Sequence, residues 1–123
     1  MGDVIATSKA PAAIGPYVQG RISGNFIFLS GQLGMDPDGN LPADFEAQAR
    51  NCFKNISAIL EEAGSSLSKV LKATVFLSDL GNFATLNAIY AENFSAPYPA
   101  RSCFQVAKLP KDAMVEIEVI AEK

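Results

Sequence analysis

Between Asp44 and Gly64 the apolar residues can meet a common core only if the backbone is helical. Ala49, Cys52, Phe53, Ile56, Ile59, Leu60 and Ala63 recur at i, i+3, i+4 and i+7, which draws one stripe along a 3.6-residue repeat. Asp44 offers a side-chain acceptor to the first free N–H groups, and Gly64 tolerates the left-handed turn that ends such a helix. The spacing predicts one helix from Asp44 to Gly64. A second, shorter helix is predicted after the Asp79–Asn82 capping region, with Phe83, Leu86, Asn87, Tyr90 and Phe94 on one face.

Much of the remaining chain alternates as strands do. Asp3–Thr7 and Tyr17–Arg21 read as short strands, separated by the Pro11–Pro16 stretch that cannot be regular. Asn25–Gly31 and Val70–Ser78 read as longer ones. Gln32–Asp36 reads as a loop, and Asp36-Pro37-Asp38-Gly39-Asn40 is turn chemistry. After Pro99, Arg101, Cys103 and Gln105 point to one side while Ser102, Phe104 and Val106 point to the other. In Met114–Ile120, Glu116 and Glu118 share one side, and Val115, Ile117 and Val119 take the opposite one.

The sum is an α+β domain spanning residues 1–123, a mixed six-stranded sheet with two helices packed on one face. Two helices can cover only one side of such a sheet. The other carries Phe, Val and Ile side chains, so a partner subunit is the economical cover.

Composition narrows the function. Apolar residues make up 49% of the chain and charged ones 19%, which suits one ordered globular core. The net charge of −3 and scattered basic residues give no footprint for nucleic acid. There is no histidine, so the commonest general base and metal ligand is absent. Cys52 and Cys103 lack any CxxC spacing, and neither a zinc site nor a disulfide scaffold is expected. Met1–Ala6 shows no leader pattern, Ala6 stands where a myristoylation signal wants Ser or Thr, and no apolar run reaches membrane-spanning length. A cytoplasmic protein is expected.

Arg101 is the first candidate for chemistry, because a guanidinium clamps a carboxylate with two parallel hydrogen bonds. The ordinary role of a strand arginine is a salt bridge. Glu116 is the second, because a mid-strand glutamate is costly to bury unpaired, although Glu118 has the same local pattern. Cys103 invites a nucleophile reading, but no histidine can serve it as base. Gly31 ends a strand where backbone could approach a ligand closely, beside Ser30. The ring of Tyr17 could wall a pocket, and Asn87 is the odd polar residue on an apolar helix stripe.

Several blocks then combine. Pro99-Ala100-Arg101-Ser102-Cys103, Leu109-Pro110-Lys111 and Val115-Glu116-Ile117-Glu118 resemble the C-terminal signature of the RidA family, the reactive-intermediate (enamine/imine) deaminases. Ala12–Gly20, Leu29-Ser30-Gly31-Gln32, Gln48-Ala49-Arg50 and Val75–Leu80 are similar to that family too, in the same order. The resemblance implies a chorismate-mutase-like fold and a homotrimer with clefts between subunits. It implies that Arg101 binds a substrate carboxylate and Glu116 positions the hydrolytic water. Main-chain groups of Cys103 would contact substrate, and Tyr17, Ser30, Gly31 and Asn87 would line or support the cleft. The implied reaction is hydrolysis of small 2-imino acids, such as 2-iminobutanoate and 2-iminopropanoate released by pyridoxal-phosphate enzymes, to 2-keto acids. No metal or organic cofactor is needed. The rival readings are a keto-acid or carboxylate sensor of the same fold, an endoribonuclease or translation inhibitor, and a chaperone.

Overall fold

The computed structural model describes residues 3–123; the leader and acylation readings that involve Met1 and Gly2 lie partly outside them. In chain order the elements are β1 (Val4–Ile5), β2 (Gly20–Ser23), β3 (Phe26–Leu29), β4 (Gln32–Leu33), α1 (Phe45–Glu62), β5 (Val70–Leu77), α2 (Phe83–Asn93), β6 (Ala100–Gln105) and β7 (Val115–Glu122). The strands lie in the order β1-β2-β3-β7-β5-β6, and β4 also pairs with β7. Every pairing is antiparallel except β5 with β6, whose parallel register requires the crossover that α2 provides.

α1 forms where the stripe predicts. The Asp44 carboxylate accepts from the Ala47 N–H at 3.2 Å, and Gly64 turns left-handed at φ +79°. Ser65 N–H then reaches back to Leu60 O at 2.8 Å, closing the helix end. Ala49, Cys52, Phe53, Ile56, Ile59 and Leu60 are all buried against the sheet, opposite Ala73, Val75, Leu77, Val115, Ile117 and Val119. Because strand side chains alternate, the same burial turns Phe76, Phe104, Glu116 and Glu118 to the sheet's other side. Among the described residues no helix lies on that side, and Phe26, Phe28 and Phe104 are exposed there.

Two strand expectations shift. The strand read at Tyr17–Arg21 starts only at Gly20, because Tyr17–Gln19 is held by side chains instead. Buried Gln19 accepts from Thr7 N–H at 2.7 Å and donates to Pro11 O at 2.8 Å, standing in for ladder bonds. The segment read as a loop from Gln32 contributes a seventh strand, β4, too short for alternation to reveal.

Candidate active site

Glu116 lies beside a defect in the sheet. Phe28 pairs with Ile120 and Gln32 pairs with Ile117, so one strand spends an extra residue against β7. Ser30 and Gly31 occupy that bulge. A Cβ on Gly31 would lie 2.8 Å from Glu116 Oε2 and 2.9 Å from its Cδ, so the carboxylate occupies space that only glycine leaves. The Ser30 hydroxyl donates to Val18 O at 2.6 Å and fixes the segment that carries Tyr17, itself 52% exposed. Tyr17, Ser30, Gly31, Met35, Lys111 and Glu116 line a common open cavity of about 610 Å³.

The carboxylate of Glu116 accepts no hydrogen bond and joins no ion pair among the described residues. Burial pushes its pKa above the usual glutamate range, and the like charge of Glu118 adds to the rise. It is a half-buried base without a partner of its own.

Polar groups on α1 hold this corner from behind. Asn55 Nδ2 donates to Leu33 O at 3.2 Å and Met35 O at 2.8 Å, and Asn51 Nδ2 donates to Gly34 O at 3.1 Å. The Cys52 thiol donates to Gln32 O at 3.2 Å, and Gln48 Oε1 accepts from Met114 N–H at 2.8 Å. Burial pushes the Cys52 thiol far up, so it stays a neutral donor.

Arg101 occupies a different place. Its register partner is Ala73, on the helix-covered side, so its side chain meets α2. Nη1 donates to Asn87 Oδ1 at 2.8 Å, while the guanidinium carbon lies 4.8 Å from the Tyr90 ring centre and 5.5 Å from that of Phe83. No carboxylate pairs with Arg101 among the described residues. Nη2 and Nε keep a bidentate edge for an acid group. Cys103 follows on the same side, half-buried; burial raises its thiol pKa and the Arg101 charge pulls it partly back.

The seven site candidates therefore fall into two groups within one chain. Tyr17, Ser30, Gly31 and Glu116 share a cavity, whereas Asn87, Arg101 and Cys103 lie on the opposite side of the sheet. Sequence reading did not place Lys111 at the cavity wall, where left-handed backbone at Lys111 (φ 59°) and Asp112 (φ 54°) turns the chain into β7. Tyr90 and Phe83 were legible as an apolar stripe but not as partners of Arg101, since only the pairing of β6 with β5 brings the guanidinium to α2. No cluster of three or more His, Cys, Asp or Glu side chains able to hold a metal ion occurs among the described residues.

Comparison with known proteins agrees with this architecture. The profile described as Endoribonuclease L-PSP matches residues 7–123, which is nearly the whole chain. The 2-iminobutanoate/2-iminopropanoate deaminase of Escherichia coli K12 is 53% identical, with 98% of each chain covered. This chain belongs to the RidA/YjgF family. Among solved family structures, RidA from an Antarctic Psychrobacter superposes with a TM-score of 0.95 at 51% identity, with 98% of each chain covered. Escherichia coli TdcF with bound serine gives 0.90 at 47% identity over the same shares.

Proposed function

We propose that this chain hydrolyses 2-iminobutanoate and 2-iminopropanoate to the 2-keto acid and ammonia. The observation that carries the reading is identity of 53% across 98% of the chain with a protein named for that activity. The chemistry of the site agrees. Water adds to the carbon of the protonated C=N bond while the Glu116 carboxylate takes the proton that water sheds. Glu116 returns that proton to the nitrogen of the tetrahedral intermediate; as the C–N bond breaks and ammonia leaves, the carboxylate takes the remaining hydroxyl proton so that a carbonyl is left, and ammonia carries that proton off as ammonium. The Nη2/Nε edge of Arg101 grips the α-carboxylate. Main-chain groups at Gly31 and Cys103 fix the imine nitrogen, Tyr17 walls the cavity, and Ser30 and Asn87 hold their neighbours in place. Positioning of a reactive electrophile supplies most of the barrier lowering, and no cofactor enters the scheme.

One small molecule can touch both Arg101 and Glu116 only if they come from different copies. We therefore assign the working form to an oligomer whose sites lie between subunits, a homotrimer by the family resemblance. The uncovered phenylalanines on the sheet support an interface there. No helix among the described residues is long and apolar enough to cross a membrane, and clearance of reactive imines in the cytoplasm is the role proposed. The bound serine of TdcF supports a small amino-acid-like ligand. An unpartnered, raised glutamate favours turnover over carboxylate sensing. The net charge of −3 and the lack of histidine disfavour cleavage of RNA.

The test couples a pyridoxal-phosphate threonine dehydratase to the protein and follows disappearance of 2-iminobutanoate. Arg101→Ala should lower kcat/KM by about 10²-fold or more with its oligomeric state unchanged. Undiminished turnover by that variant rejects the assignment.

A further inference from the structure

We infer that Tyr90, with Phe83, is a positioning residue: the two rings form an aromatic clamp that holds the Arg101 guanidinium with one edge presented to substrate. The inference rests on the carboxylate-binding role proposed for Arg101 and extends it to residues that do not themselves touch the reacting atoms.

An arginine side chain loses much rotamer freedom when it is fixed, and one hydrogen bond does little to restrict it. Asn87 supplies only one, to Nη1. No carboxylate contributes among the described residues, so the remaining restraint comes from the ring faces at 4.8 Å and 5.5 Å. Both lie within the roughly 6 Å at which a cation is attracted to an aromatic quadrupole, and a planar guanidinium stacks there better than an ammonium does. Phe83, Asn87 and Tyr90 occupy positions i, i+4 and i+7 of α2, so one helix face makes all three contacts.

Tyr90 is itself closely packed. It is 6% exposed, its ring stands edge-on to Phe53 with centroids 6.0 Å apart, and it tilts against Phe94 at 4.7 Å. The rigidity of the core thus extends to an otherwise flexible cation. The Tyr90 hydroxyl is buried without a hydrogen-bond partner. A hydroxyl in that condition contributes nothing favourable, so the ring face is what the position supplies.

The experiment measures steady-state imine hydrolysis and ¹⁵N relaxation of the Arg101 Nε–H group in Tyr90→Phe, Tyr90→Leu and Phe83→Leu. Tyr90→Phe should keep KM within about twofold and leave Nε–H rigid, since the ring remains. Phe83→Leu and Tyr90→Leu should raise KM about tenfold, with a smaller change in kcat, and should make Nε–H mobile. A folded leucine variant with a rigid Arg101 or an unchanged KM overturns the clamp. If Tyr90→Leu does not fold, Phe83→Leu decides alone, because Phe83 is 38% exposed and its loss leaves the core intact. Arg101→Ala separates the two levels: full activity in that variant rejects the carboxylate site, whereas its inactivity beside unaffected leucine variants rejects only the clamp.

Discussion

A carboxylate held half-buried without a partner is poised for proton transfer and costs stability. Above its raised pKa, Glu116 is ionised in a setting less polar than water; in the unfolded chain that cost is absent. Glu116→Gln should therefore raise Tm by about 1–3 °C at pH 8. The gain should fade as pH falls through the raised pKa and be gone below about 4.5, the ordinary glutamate value, where both states are protonated. The same substitution should lower kcat by about 10²–10⁴-fold and remove the acid limb of the rate profile, which in the native protein should lie above the ordinary glutamate range. Differential scanning calorimetry and a pH–rate series measure the two effects. Gly31 gives a second handle on the same group. Gly31→Ala would bring a methyl to 2.8 Å from Oε2 and push the carboxylate aside, so kcat should drop about tenfold with little loss of secondary structure by circular dichroism.

Among the elements, α1 does two jobs. Its apolar stripe fills the core, while Gln48, Asn51, Cys52 and Asn55 bond to backbone groups of residues 32–35 and 114 that frame the glutamate cavity. Asn55→Leu should strand the carbonyls of Leu33 and Met35 and cost about 1–3 kcal/mol in urea unfolding. The stripe and both helix ends were legible in sequence because periodicity and capping are local. The four long alternating strands were legible for the same reason. β4 and the late start of β2 were not, since two residues carry no period and Gln19 replaces ladder bonds with side-chain ones. Arg101 and Glu116 were singled out by type, alternation and family resemblance, but the side of the sheet each occupies is fixed by long-range register. The association of Tyr90 with Arg101 was hidden likewise, being a property of how β6 joins β5 beneath α2.

For the whole molecule, Arg101 and Glu116 of a single copy point away from each other through one sheet. Two crippled chains should then rescue one another. An Arg101→Ala chain still carries an intact glutamate, and a Glu116→Gln chain still carries an intact guanidinium. Co-refolded in equal amounts, they should form hybrids in which roughly a quarter of the sites regain both groups, with a matching share of native turnover. A mixture as inert as its components would mean that each copy acts alone. Complementation between dead variants is what a fold produces when it gives every subunit half of two different sites and a complete one to none.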